Sequence, residues 1–70
     1  MNNKDKIYIA GCGGMLGEAF YEVFEKDYHL KCTDINVNEK WLSNLDFRDY
    51  DGYKRDVRKF QPNYLVHLGA

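Results

Sequence analysis

The sequence has few of the residues that covalent scaffolds need, and neither sign of charge dominates. Two cysteines, Cys12 and Cys32, are too few for a disulfide framework, and no Cys/His spacing suits zinc. Ten basic and eleven acidic side chains give a net charge of −1, which provides no electrostatic reason to expect nucleic acid or an anionic membrane as partner. No apolar run approaches the roughly 18 residues of a membrane span or forms the core of a signal peptide. We therefore expect a reduced, cytoplasmic protein with no metal, nucleic-acid or membrane partner.

Aromatic residues, by contrast, are plentiful. Six Tyr, four Phe and one Trp, within a hydrophobic share of 44%, predict a packed core rather than a disordered chain. A chain this short buries only about 60% of the surface that it exposes when unfolded, so we expect marginal stability for these residues alone.

The first half of the chain predicts a strand, a helix and a second strand. Residues 7–10 form a short apolar run rich in strand formers, which indicates a buried strand. Residues 28–33 predict the second strand, which ends at Asp34. Between them we expect a helix with one apolar face, because apolar residues recur there at helical spacing: Leu16, Ala19, Phe20, Val23 and Phe24.

The second half predicts a strand, a helix and a strand. Residues 42–47 indicate a short third strand after an asparagine-rich loop. Asp49 is a candidate cap for a second helix, and Pro62 follows the expected end of that helix. Residues 64–68 predict a fourth strand, mostly apolar as in strands buried on both faces. The buried side of the second helix is expected to carry Tyr50, Tyr53, Val57 and Phe60.

Glycines fill the connection between the first strand and the first helix. Gly11, Gly14 and Gly17 have the spacing G-x-x-G-x-x-G, whereas the fingerprint G-x-G-x-x-G would need glycine where Leu16 stands. Glycine suits a loop that turns tightly out of a strand, approaches a pyrophosphate with its backbone and packs a helix closely on the sheet. The alternative is a glycine-rich turn without a ligand. No Gly-Lys-Ser/Thr follows, which excludes a P-loop.

The order of elements predicts an α/β fold with parallel strands and right-handed crossovers. In a Rossmann-type, doubly wound sheet of order 3-2-1-4-5-6, this chain would supply strands 3, 2, 1 and 4 with two helices, which is the first half. The fourth strand would then be an exposed apolar edge, which soluble proteins avoid. We therefore expect residues 1–70 to be the N-terminal part of a dinucleotide-binding domain, with the rest of that domain and a substrate domain beyond them.

Three segments resemble the extended short-chain dehydrogenases/reductases, which act on nucleotide-linked sugars. Residues 10–17, Ala-Gly-Cys-Gly-Gly-Met-Leu-Gly, resemble the family's glycine loop, and their ending is similar to the dTDP-4-dehydrorhamnose reductase branch. Residues 45–49, Leu-Asp-Phe-Arg-Asp, resemble the segment after strand three. Residues 61–70 resemble the Pro-Asp-hydrophobic-His-x-Ala-Ala ending of strand four, with Asn63 in place of the usual Asp and Gly69 in place of the first Ala.

The resemblance implies an NAD(P)-dependent reductase, epimerase or dehydratase of a nucleotide-sugar substrate. It implies that Asp46 accepts from the adenine amino group and that the Phe47 backbone N–H meets the adenine ring. The family's catalytic Ser/Thr and Tyr-x-x-x-Lys pair would lie beyond Ala70, so no catalytic residue is expected here. A non-catalytic, dinucleotide-binding regulatory subunit of the same fold is the alternative, and monomer and homodimer both stay open. The predicted cofactor-binding residues are Gly11, Gly14, Met15, Leu16, Gly17, Asp34, Asp46, Phe47, Leu68, Gly69 and Ala70.

Asp34 predicts which dinucleotide is bound. It ends the second strand some distance after the glycine loop, where an acidic residue can bind the adenosine ribose hydroxyls and repel a 2′-phosphate. The expected cofactor is NAD, with NADP as the second choice. The alternative is an ordinary turn aspartate, and Asp46 has a similar alternative as a cap or loop residue.

Other reactive side chains have simpler interpretations. Tyr50 and Lys54 have Tyr-x-x-x-Lys spacing but precede strand four, so we reject them as a catalytic pair. His67 lies in an apolar strand and is expected to be packed and hydrogen-bonded, and Cys12 is expected to be a small residue that leaves room for a phosphate. The basic residues of the second helix indicate a solvated face: Lys54, Arg55, Arg58 and Lys59.

Overall fold

A computed structural model describes residues 4–37 and 39–68 of the chain, so the predicted contacts at Gly69 and Ala70 lie outside the described residues. The predicted order of elements is confirmed, although the third strand is shorter than expected. The elements are β1 (Lys6–Ala10), α1 (Met15–Phe24), β2 (His29–Asp34), β3 (Leu42–Asn44), α2 (Tyr50–Phe60) and β4 (Tyr64–His67).

The four strands form one sheet of order β3-β2-β1-β4 in which every described pair is parallel. Strand β1 lies at the centre: Ile9 pairs with Cys32 of β2 on one side and with Val66 of β4 on the other. The predicted strand order 3-2-1-4 is therefore confirmed, and the chain has a small α/β fold.

The helices cover opposite faces of the sheet, as the alternation of side chains along β1 requires. Ile7 and Ile9 are buried in a cluster with partly buried residues of α1 such as Phe20. Tyr8, between them, is fully buried and packs its ring against Tyr53 and Phe60 of α2, with centroids 6.0 and 6.1 Å away.

The apolar face predicted for α1 is wrong in part. Leu16 and Val23 are 60% and 65% exposed, and Ala19 is exposed as well. The face towards the sheet instead carries Gly17, with the half-buried Phe20, Tyr21 and Phe24. The reason is that Gly17 allows the helix to touch the preceding loop, and Tyr21 stacks on Trp41 at 4.4 Å. Both contacts rotate the helix away from its most apolar stripe.

Helix α2 has a capping residue at each end, and the sequence predicted the first of them. The Asp49 side chain accepts a hydrogen bond from the Gly52 amide at 3.3 Å, which confirms the predicted N-cap. The helix ends at Gln61, which is left-handed with φ 55° and donates its amide to the Val57 carbonyl. Tyr50 was expected on the buried side but is 70% exposed, because α2 first reaches the sheet one turn later, at Tyr53.

Strand β4 is an edge in the described part of the chain. It pairs with β1 alone among the described strands, and Tyr64 and Leu65 are exposed. The apolar composition of β4 predicts a strand buried on both faces, but its residues are mostly exposed in the described part of the chain. The expected exposed edge is confirmed.

Candidate functional site

The predicted site residues that the structure describes lie beyond or at the carboxyl ends of the strands. The glycine loop follows β1, Asp34 ends β2, Asp46 and Phe47 follow β3, and Leu68 follows β4. Parallel strands place all these ends along one edge of the sheet, which is where ligands of open α/β sheets bind.

Two glycines shape the loop, each for a different reason. Gly11 has φ 82°, a left-handed conformation that side chains disfavour, and this turns the chain out of β1. The amides of Gly11 and Cys12 both donate to the Thr33 carbonyl, at 2.9 and 3.0 Å, which holds the loop against the end of β2. A Cβ on Gly17 would lie inside van der Waals contact with the Cys12 backbone, so only glycine lets α1 begin this close to the loop.

Gly14 stands at the N-terminus of α1, and nothing in the fold explains why it is glycine. It is the N-cap, it has no side chain to cap the helix, and a Cβ there would meet nothing within 4 Å. The next residue, Met15, is 90% exposed. The first amides of a helix lack intrahelical partners and carry the positive end of its dipole, so this open end favours an anion.

Asp34 ties the loop to the second strand. One carboxylate oxygen accepts the Gly13 amide at 2.8 Å, and the other accepts the Asn36 amide at 2.9 Å. The bond from Asn36 is the one expected of a turn aspartate, so one oxygen of Asp34 does act as a turn residue. Sequence analysis missed Gly13, where a Cβ would lie 2.7 Å from the Asp34 Cγ. The adjacent glycines Gly13 and Gly14 are the signal in the sequence that could have indicated this close contact.

A cavity of about 320 Å³ opens beside Asp34. It is lined by Asp34, Ile35, Asp46, Phe47 and Arg48. The fold therefore brings together three residues predicted from separate segments: Asp34, Asp46 and Phe47. Arg48 belongs to the same cavity and was not predicted as a site residue.

Arg48 forms an ion pair with Asp46 through two side-chain hydrogen bonds. Its Nε and a terminal nitrogen donate to the two Asp46 oxygens, each at 3.0 Å, and its amide donates to one of them at 2.9 Å. These hydrogen bonds hold the pKa of Asp46 below its ordinary value. Asp46 is thus an ionised acceptor, and Oδ2, which accepts one bond from Arg48 where Oδ1 accepts two, keeps a second lone pair for a ligand.

Phe47 connects this cavity to the end of β4. Its ring meets that of His67 edge-on, with centroids 4.7 Å apart. His67 also shares a hydrogen bond with the Tyr53 hydroxyl at 3.2 Å, so the expected hydrogen bond is present, although the residue is exposed. Leu68 donates its amide to the Ala10 carbonyl at 2.8 Å, directly before the glycine loop.

Cys12 does not do what the sequence predicted. Its side chain is fully buried in the core, with Sγ 3.9 Å from the Gly17 carbonyl, and so does not line the open surface of the loop. Cys32 is buried in the same cluster. Contact with the Cys12 thiol and burial both raise the pKa of Cys32 above its ordinary value, which keeps Cys32 protonated and unreactive.

Tyr50 and Lys54 lie away from these residues. The Lys54 ammonium is 5.8 Å from the centre of the Tyr50 ring, and both line a groove between α2 and Leu65. No residue of the glycine loop or of the Asp34 cavity lines that groove.

No protein-family model matches the chain, and a search of the curated proteins finds no match either. Neither helix in the described residues has the length and apolar character that crossing a bilayer demands.

Proposed function

We propose that this chain binds an adenine dinucleotide, with NAD preferred, as the N-terminal part of a Rossmann-type domain. The observation that carries the proposal is the pairing of two features at one edge of the sheet. One is the open, uncapped start of α1 at Gly14, and the other is the cavity beside Asp34. The Gly13–Asp34 hydrogen bond joins them.

The residues present suit each part of such a ligand. The amides at the start of α1 would take the pyrophosphate, where a Cβ at Gly14 would occupy open space. Asp34 would accept from the ribose hydroxyls through its remaining lone pairs. Asp46 and the backbone of Phe47 would take the adenine, as the resemblance to extended short-chain dehydrogenases/reductases implies.

Asp34 favours NAD over NADP for an electrostatic reason. Its half-buried carboxylate is fixed by two amides, so it cannot easily swing away from a phosphate placed on the ribose. Arg48 is the nearby cation in the same cavity, but Asp46 already engages it in two hydrogen bonds. The fixed repulsion is expected to give a preference of roughly tenfold or more for NAD.

Calorimetric titration of NADH into wild type and into Gly14→Val tests the proposal. The branched side chain would fill the space that the pyrophosphate needs, so binding should be lost. Ala19→Val is the matched control, because Ala19 is an exposed residue of the same helix outside its first turn. Unchanged affinity in Gly14→Val, with the circular dichroism of wild type, would contradict the proposal.

For the whole protein we propose a nucleotide-sugar reductase, epimerase or dehydratase similar to the dTDP-4-dehydrorhamnose reductase branch. A bound nicotinamide cofactor supplies hydride transfer in such enzymes. The residues described here would bind and orient its adenosine and pyrophosphate, and they would not exchange protons with the sugar.

A non-catalytic binding subunit of the same fold is the second candidate. We assign Tyr50 and Lys54 no catalytic role in either candidate, because their groove is lined by none of the cofactor-site residues. Tyr50→Phe should leave NADH affinity unchanged. A loss of affinity would place that tyrosine in the cofactor site after all.

A further inference from the structure

A second cavity lies between α2 and the strands β2 and β3, and its charge is opposite to that of the Asp34 cavity. It has a volume of about 260 Å³, and the residues that matter in its wall are Lys31, Ser43, Gly52, Arg55, Asp56 and Lys59. Three cations and one carboxylate therefore face one cavity in a chain whose net charge is −1.

The single carboxylate offsets at most one of these three positive charges. One oxygen of Asp56 accepts a short hydrogen bond, 2.6 Å, from the buried Tyr8 hydroxyl. The other oxygen lies 3.8 Å from the Lys31 ammonium, which is beyond hydrogen-bonding distance. Among residues 4–37 and 39–68, neither Arg55 nor Lys59 forms an ion pair.

The fold places the three cations around one cavity, although like charges repel one another. Arg55 and Lys59 are one turn apart on α2, a spacing at which like charges are unfavourable. Lys31 projects from β2 beneath them, with its side chain 32% exposed. An anion between the three would relieve this repulsion, and the planar guanidinium of Arg55 suits a phosphate in particular.

We propose that this cavity binds a compact phosphate dianion, either inorganic phosphate or a small phosphate monoester. A phosphate group carries between about one and a half and two negative charges near neutral pH, which matches the excess of two cations over the carboxylate. The cavity is smaller than the roughly 300–1,000 Å³ of typical cofactor pockets, so the ligand is compact rather than a dinucleotide. The site is separate from the proposed cofactor site, with which it shares no lining residue.

Helix α2 offers a test with matched charges. Arg55 and Lys59 line the phosphate cavity, whereas Arg58 and Lys54 line the groove with Leu65 on another side of the same helix. The double variants R55Q/K59Q and R58Q/K54Q each remove one arginine and one lysine charge from α2. Only R55Q/K59Q removes them from the cavity. Titrations with inorganic phosphate and with glycerol 3-phosphate, at constant ionic strength and followed by amide chemical shifts, separate the free anion from the ester.

We expect shifts at the Ser43 and Gly52 amides, and a loss of affinity of about tenfold or more in R55Q/K59Q. R58Q/K54Q should change the affinity less than about twofold, because screening weakens remote surface charges. Equal losses in both doubles, or shifts confined to the amides at the start of α1, would overturn the site. If R55Q/K59Q fails to fold, the single variants Lys59→Gln and Lys54→Gln decide by the same comparison.

Discussion

Replacing Gly17 with alanine would place a methyl group against the backbone of the glycine loop. A Cβ at this position lies 2.5 Å from the Cα and the carbonyl carbon of Cys12 and closer still to its oxygen, whereas real Cβ contacts are essentially never below 3.0 Å. The loop cannot move aside easily, because the Gly11 and Cys12 amides are both bonded to Thr33 and Cys12 is fully buried. Helix α1 would have to move away from the loop.

Two opposing terms set the magnitude. Alanine is better than glycine inside a helix by about 0.5–1 kcal/mol. Overpacking a tight contact costs about 1–3 kcal/mol. The clash here is with backbone that cannot change rotamer, so the upper part of that range applies and Gly17→Ala should lose about 1–2 kcal/mol net. In a domain of this size that is a fall in Tm of roughly 5–15 °C.

Urea unfolding followed by the fluorescence of Trp41 is the assay. Trp41 is the sole tryptophan and stacks on Tyr21 of α1, so its emission reports whether the helix is docked. Gly14→Ala is the control, because a Cβ there meets nothing within 4 Å and its φ of −103° is open to alanine. A Gly17→Ala protein as stable as wild type would refute the close-packing argument.

Three further outcomes are expected. Asp34→Ala should reduce the preference for NADH over NADPH in calorimetric dissociation constants, whereas an unchanged ratio would make Asp34 only a turn residue. Tyr8→Phe should cost about 1–2 kcal/mol in urea unfolding, because it removes a partly buried hydrogen bond to the Asp56 carboxylate. Burial and that bond raise the pKa of Tyr8 above its ordinary value near 10, so the contribution of Tyr8 to stability is full below pH 10 and is lost as pH rises further. The free energy of unfolding should therefore fall less above pH 10 in Tyr8→Phe than in wild type. Arg48→Gln should raise the pKa of Asp46, measured by the carbon chemical shift of its carboxyl group. In wild type the ion pair stabilises the fold above the ordinary aspartate pKa, and this stabilisation is lost as pH falls through the lower pKa of the folded state. An Asp46 pKa equal in both proteins would contradict the ion pair.

Local sequence signals were sufficient for the elements and for the strand order. The alternation of short apolar runs with a glycine loop and a capped helix leaves few ways to pair four strands, and the Asp49 cap is visible directly in the residues. The side of α1 that faces the sheet could not be predicted from periodicity. One side of the helix is apolar, with Leu16 and Val23, and the other is aromatic, with Phe20 and Tyr21. The contact between Gly17 and the Cys12 backbone decides between them, and that contact exists only in three dimensions.

In the candidate site, too, some residues were recognisable from the sequence and others depend on three-dimensional contacts. Asp34 was recognisable as a candidate because it ends a predicted strand, whereas Asp46 was a candidate through the family resemblance of residues 45–49. The fork between Arg48 and Asp46 depends on the tight turn after β3, in which the Arg48 amide also binds the carboxylate. The hydrogen bond from Gly13 to Asp34 spans 21 positions of sequence, so the glycine spacing alone could not assign Gly13 a structural role.

Amide chemical-shift mapping with NADH is the most direct test of the proposed dinucleotide site. The proposal predicts saturable shifts at the loop and first turn, Gly13, Gly14 and Met15, and at Asp46 and Phe47 beyond β3. The same titration in Gly14→Val should leave all of these resonances in place. Shifts absent in wild type at millimolar NADH, or confined to residues of α2, would contradict it.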